Sequence, residues 1–208
     1  MAPSAQTRKS NATRQTILDA ALRVIARKGY SAATVDEIVK EAGVSKGLAY
    51  YHFKSKADMG KSILAQGISN LTGEFHKIAD NASDATSALR SMLEYFTRTM
   101  VDNRAFGKFF LSELWRGGRV WSSDIREADQ NLVLLLASQI ERGQAEEAFR
   151  PDIDPEFAAV SFIGTVVTSA SYYLDSAGDN TPMNADEFVE RVAKLAHNAT
   201  VIESNPTS

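Results

Sequence analysis

An all-α protein is what this sequence predicts, and three observations predict it. Apolar residues recur at spacings of three and four along most of the 208 residues. Helix-start signals and helix-stopping glycines punctuate those runs at intervals suited to helices. No stretch of strict apolar–polar alternation competes with them. The finer expectation is a small N-terminal three-helix head followed by a larger C-terminal helical bundle.

The head is read in order. Residues 1–10 are polar and carry Pro3, Ser4 and Gln6, so an unstructured tail is expected there. The first helix should run from Asn11 or Thr13 to Lys28, with Ile17, Leu18, Ala21, Leu22 and Ile25 on its inner side and Gly29 at its end. Thr34 stands three residues before Glu37, a capping box, so a second helix should begin after it and end at Gly43. Ser45 then caps a third short helix reaching Tyr50 or Tyr51. Two short helices joined by a tight Ala-Gly-Val turn, after a longer supporting helix, read as a helix-turn-helix spanning residues 11–55.

The remainder, residues 56–208, reads as at least six helices. Ile63, Leu64, Ile68, Leu71 and Phe75 mark a long connecting helix, interrupted at Asn81–Asp84. Leu89 to Met100 and Phe106 to Trp115 follow, the latter ending at Gly117 and Gly118. Another helix runs from Trp121 to Arg142. The polar segment from Gly143 to Asp154 reads as a loop, and two helices close the chain, from Asp154 and from Ala185 to Glu203.

Charge is divided along the chain. Residues 1–60 hold ten Lys/Arg against five Asp/Glu, and the rest holds thirteen against twenty-one. A basic head can approach a polyanion that an acidic body repels. The chain has no cysteine, which excludes disulfides and thiolate chemistry. His52, His76 and His197 are too dispersed for a local metal motif, and no nucleophile stands beside an acid–base partner, so an enzyme is not expected and no cofactor is called for. No apolar run reaches the length of a membrane span, and a cytoplasmic protein is the expectation.

The segment Ala42–Lys56 carries three lysines and no carboxylate. A recognition helix meets base edges with its N-terminal residues. Lys46 suits guanine O6/N7, and Leu48 either meets a thymine methyl or packs. Gly47 removes bulk where the helix nears DNA. Tyr50, His52 and Lys56 suit phosphates, with Thr34 adding a hydroxyl from the preceding helix. Tyr51 is either a further contact or, with Phe53, part of the core.

These residues resemble the DNA-binding head of the TetR/AcrR family of bacterial transcriptional regulators. Thr34, Ile38, Ala42, Gly43, Val44, Ser45, Gly47, Tyr50, His52, Phe53, Lys56 and Met59 stand in the register of that family's signature, which covers roughly residues 13–62. Ala49 departs from it, since a leucine is common there. The resemblance implies that Thr34, Ser45, Lys46, Gly47, Tyr50, His52 and Lys56 contact double-stranded DNA, the last of these with Tyr50 and His52 as a phosphate clamp. It also implies that residues 56–208 form a regulatory and dimerisation domain, with the final two helices making a homodimer. Phe162, Val166, Ala170, Phe188, Val192 and Leu195 are the expected dimer face, or simply pack within the chain. The large side chains Met92, Phe96, Phe110, Trp115 and Trp121, with Glu113, Gln139 and Tyr172 as polar anchors, either line a small-molecule effector cavity or simply pack. A repressor released by its effector is the leading expectation, with an activator or a DNA-free helical adaptor as alternatives.

Overall fold

The computed structural model describes residues 5–114, 123–173 and 183–201, with side chains outside 112–129. Among these, nine α-helices follow one another: α1 (Ala5–Lys28), α2 (Val35–Ala42), α3 (Lys46–His52), α4 (Lys56–Asn81), α5 (Ala85–Asp102), α6 (Arg104–Leu114), α7 (Ser123–Ala145), α8 (Pro155–Tyr173) and α9 (Ala185–Thr200). The all-α class and the three-helix head therefore stand.

Two compact units share the chain. The first contains α1–α3, α4 as far as Gly67, and α6; the second contains α4 from Ile68, α5, most of α7, α8 and α9. Helix α4 has residues in both units, and α6 returns to the first.

In the first unit, α1 packs against α2, α3 and α6. Ile17, Leu18, Val24, Ile38, Ala49, Phe53 and Met59 are buried at its centre. Glycine governs one close approach there: a Cβ on Gly67 would lie 2.3 Å from the Phe106 ring. Helix α1 starts at Ala5, not near Asn11. Ala5, Gln6, Arg8 and Lys9 are good helix formers, and no breaker separates them from the amphipathic run.

In the second unit, α9 packs along α5 and against α8, and Met92, Leu93, Phe96, Val166, Ala170, Phe188 and Val192 are buried. Helix α7 continues to Ala145 through Gly143, where a loop was expected. The reason is packing: a Cβ at Gly143 would meet the Phe149 ring at 2.1 Å, so glycine there admits a neighbour instead of ending the helix. Phe149 in turn pairs with Val201 in an isolated antiparallel bridge. Arg142 secures the α4–α5 turn, donating to the carbonyls of Ala82 (3.2 Å) and Ser83 (3.0 Å). Its neighbour Glu146 accepts from the first amide of α5, Ala85 N–H, at 2.9 Å. A cation on a helix C-terminus and an anion on an N-terminus both complement the helix dipoles.

Candidate nucleic-acid interface

The turn that aims α3 is built from local chemistry. Thr34 Oγ1 accepts from Glu37 N–H, and Glu37 reaches back to Thr34 N–H, so both halves of the capping box form. Gly43 adopts φ +67°, and the amides of Gly43 and Val44 close onto the carbonyls of Lys40 and Val39. Such a left-handed stop suits glycine, which lacks a Cβ. Ser45 Oγ then accepts from Leu48 N–H at 3.2 Å and starts α3.

Ion pairs brace α2 from behind. Glu41 accepts from Arg23 (3.0 Å) and Arg27 (2.7 Å), and Glu37 pairs with Lys28. Hydrogen bonds from Arg27 and then Arg23 hold the Glu41 carboxyl below its usual range. Those from Lys28 and then Thr34 do the same for Glu37.

Helix α3 turns one side inward and leaves the rest outside. Ala49 is fully buried, as is Phe53 just beyond the helix, whereas Lys46, Gly47, Leu48, Tyr50 and Tyr51 are exposed. Tyr51 is the most open of them at 78 %, so of the two aromatics only Phe53 joins the core. His52 is half-buried, its ring edge-on to Tyr51. Ala49, where a leucine is common in the family, is the buried residue of α3.

Lys46 is paired with Asp36 on α2 at 2.7 Å, and that hydrogen bond raises its pKa. Both side chains are more than half exposed, so the pair is worth little and yields readily to a stronger acceptor. Lys56 stands apart from the other expected contacts. Its ammonium donates to the carbonyls of Tyr30, Ser31 and Ala33, well behind α3.

The expected effector and dimer residues fall differently. Met92, Phe96 and Phe110 are buried and line no part of the cavity found in the second unit. Glu113 lies in α6 with its side chain outside the described ones, and Trp115 and Trp121 lie outside the described residues. Tyr172 is 67 % exposed on α8. Gln139 is buried; its amide donates to Ser138 Oγ at 3.4 Å, while Oε1 has no donor among the described residues.

The cavity, of about 390 Å³, is walled by Leu89 and Leu93 from α5, Leu136 and Ile140 from α7, Phe149, and Phe162 from α8. Arg90, Glu190, Lys194 and His197 add polar groups. None of these was singled out as an effector residue from sequence, although α5 and α7 were. Their convergence is set by helix packing, not by spacing.

On α8 and α9, Val166, Ala170, Phe188 and Val192 are already buried within the chain, and Phe162 is half-buried. Of the expected dimer residues, only Leu195 is exposed. The outward apolar row on α8 is instead Phe157, Val160, Gly164 and Tyr172, which recur on one face of the helix. Helix α8 is apolar on both sides, so periodicity could not tell inner from outer.

A helix-turn-helix with an exposed third helix, followed by a helical unit holding an apolar cavity, defines a class: DNA-binding regulators with a ligand-sized chamber. Comparison makes this specific. The family model described as bacterial regulatory proteins, tetR family, matches residues 17–63, and that described as the tetracyclin repressor-like C-terminal domain matches residues 86–198. The chain belongs to the TetR family of bacterial transcriptional regulators, whose members are not enzymes. It is similar to the HTH-type transcriptional activator FasR of Mycolicibacterium smegmatis, at 28% identity, covering 86% of this chain and 79% of FasR. It is also similar to the HTH-type transcriptional repressor KstR2 of the same organism, at 25% identity, covering 90% of this chain and 89% of KstR2. In fold it matches the transcriptional regulator FadR of Bacillus subtilis, solved in complex with stearoyl-CoA, with a TM-score of 0.76 at 22% identity over 88% of this chain and 96% of that one. Among the described residues no helix is long and apolar enough to cross a membrane, and no cluster of three metal-ligating side chains occurs.

Proposed function

We propose that the chain works as a homodimeric, ligand-responsive repressor that binds a near-palindromic operator through α3 and leaves it when a small molecule occupies the second unit. The observation that carries this reading is α3 itself. It is a well-capped short helix with Lys46, Gly47, Leu48, Tyr50 and Tyr51 exposed on a basic head.

In that reading Lys46 leaves Asp36 for a base edge, Gly47 lets the helix axis approach the groove, and Tyr50, Tyr51 and His52 reach the backbone. Lys54, exposed and without an ion pair among the described residues, adds a phosphate contact. The apolar row Phe157, Val160, Gly164 and Tyr172, with Leu195, meets its own copy across a twofold axis. Outside its own helix, no described residue lies within 4 Å of a Cβ at Gly164, which leaves room there for close approach by a partner. A twofold dimer presents two α3 helices to successive major grooves, about 34 Å apart.

The cavity suits the effector. Its volume falls in the range of small-molecule sites, and its walls are aliphatic and aromatic with a few polar groups. An apolar molecule carrying one polar or acidic group fits those walls, and the acyl-CoA bound by the FadR relative supports an acyl compound. Release of DNA requires only that the effector bind one head geometry better than the other.

Fluorescence anisotropy with duplexes from upstream of the chain's own gene, beside a scrambled duplex, tests the reading. Tight, salt-sensitive binding that prefers the upstream duplex and weakens with an acyl-CoA is expected. Equal, weak binding to every duplex, including those selected from a random pool, would overturn it. The relation to FasR favours a second reading, in which the same DNA contact activates transcription. Reporter expression on deleting the gene rises for a repressor and falls for an activator.

A further inference from the structure

We propose that the chamber of the second unit takes an apolar acid of medium length, its negative end held at the rim by Lys194 and His197 of α9 and its chain lying inward against Leu136 and Ile140. This rests on the reading of the chamber as the effector site. It adds the charge of the ligand, the end that faces out and the length that fits.

Walls and rim differ in chemistry. Aliphatic and aromatic groups from α5, α7, α8 and Phe149 line the space, and Ala193 and Ala196 on α9 are too small to fill it. The charged or titratable lining groups are Arg90 on α5 and Glu190, Lys194 and His197 on α9. Lys194 and His197 stand three residues apart, so they are neighbours along one side of the helix. Both are exposed and yet line the chamber, which puts them where it meets solvent.

Pairing decides which of these groups is available. Glu190 stands four residues before Lys194, the spacing at which a glutamate commonly pairs with a lysine on a helix. It pairs with Arg90 across the α5–α9 seam instead, and Arg90 is also bonded to Glu94 at 3.2 Å. Lys194 is left with no ion-pair partner among the described residues, and the His197 ring with no hydrogen bond. The dipole of α9 favours a cation in its last turn, which accounts for His197. It does not account for Lys194, six residues before the end of the helix, because the dipole's influence falls off beyond that turn.

Size and solvation set the rest. A volume of about 390 Å³ holds about thirteen groups of the size of a water molecule, at roughly 30 Å³ each. A chain of about ten carbons therefore fills it. A carboxylate is too costly to carry inward without a partner, so it stays at the rim, where an ammonium and an imidazole supply N–H donors. The coenzyme A thioester of the same acid would place its chain in the same space and its charges outside. The two sources share an apolar chain with a negative end at the rim, and the titrations separate them.

The test is calorimetric titration of the full-length protein, without DNA, by decanoate, decanoyl-CoA and decanol. One of the two anions should bind at least about tenfold more tightly than the alcohol, as for a charge-assisted hydrogen bond, and the tighter one identifies the source. Affinity should rise about fourfold per methylene from hexanoate to decanoate and level off by hexadecanoate. Decanol binding as tightly as both anions would overturn the proposal, and so would affinity that climbs unchecked to hexadecanoate.

The double variant Lys194→Gln, His197→Gln changes only exposed side chains. Its preference for the anion should collapse to within about twofold, while decanol binds as before. A preference that survives the double change would show that the negative end lies elsewhere. An anion that binds as expected but leaves duplex anisotropy unaltered would refute the effector reading and not this one. Release of the duplex by some other compound, with neither anion bound, would do the opposite.

Discussion

Gly43 and Gly47 stand four residues apart on either side of Ser45, and the structure assigns them opposite responses to the same change. Around both, a new Cβ would meet no described residue beyond the local chain within 4 Å, so sterics against those neighbours do not distinguish them. Backbone geometry does. Gly43 sits at φ +67°, where an alanine costs about 1–2 kcal/mol relative to right-handed conformations. Stiffening of the unfolded chain returns about 0.4–1 kcal/mol of that. Gly43→Ala should therefore destabilise the protein by about 1 kcal/mol. Gly47 lies inside α3 with an ordinary helical φ, so Gly47→Ala should stabilise it, by up to about 1 kcal/mol.

For a chain of this length about 1 kcal/mol moves a melting midpoint by roughly 2–4 °C. Circular dichroism at 222 nm should thus show Gly43→Ala melting lower and Gly47→Ala melting equal to or higher than the parent. Anisotropy with a duplex should show the reverse priority. Gly47→Ala, though well folded, should weaken binding if α3 enters the groove as proposed, because the added methyl would then stand where DNA approaches. If Gly43→Ala melts at or above the parent, the left-handed stop is not what aims α3, and the reasoning fails at its root.

Three further outcomes follow from other parts of the molecule. Phe157→Glu together with Val160→Glu should leave helicity intact but halve the mass measured by light scattering; a mass unaffected by the change would remove α8 from the dimer face. Gln139→Leu should stabilise the unliganded protein by about 1 kcal/mol in urea unfolding, because it deletes a buried acceptor with no donor among the described residues; a loss of stability would mean that Oε1 has a donor in the folded protein. The third concerns pH. Glu37 and Glu41 have folded pKa values below their unfolded ones, so their stabilisation is present above the ordinary carboxylate range and is lost as pH falls through the depressed values. Melting midpoints should decline from about pH 5 downward, and the Glu37→Gln, Glu41→Gln double variant should decline less; parallel curves would show that other groups govern the acid limb.

The head was legible because its determinants are local. Thr34 and Glu37 meet over one turn of helix, Gly43 acts through its own φ, and Ser45 reaches an amide three residues on. A capping box or a left-handed stop leaves a signature in a few consecutive letters. The start of α1 was misplaced for a related reason: a polar stretch without periodicity reads as a tail, yet helix formers without a breaker extend an existing helix at little cost.

Other features depended on residues far apart in sequence. Gly143 reads as a stop, and only the ring of Phe149 against it shows a helix passing through. Both faces of α8 carry apolar side chains, so the pattern does not tell which of them, such as Val166 and Ala170, are buried within the chain. The cavity walls come from four helices and the residue Phe149, and no spacing announces them.

By itself, then, the sequence determined a helical protein with a capped, basic, outward-facing reading helix, because capping, turn chemistry and charge act over a few residues. Tertiary structure alone decided which face of α8 remains open, where an apolar chamber lies, and what the Lys56 ammonium holds. Its three acceptors stand 23 to 26 residues earlier in the chain. Contacts at that range exist only once packing has brought their partners together, and so they leave no periodic trace in the residues that make them.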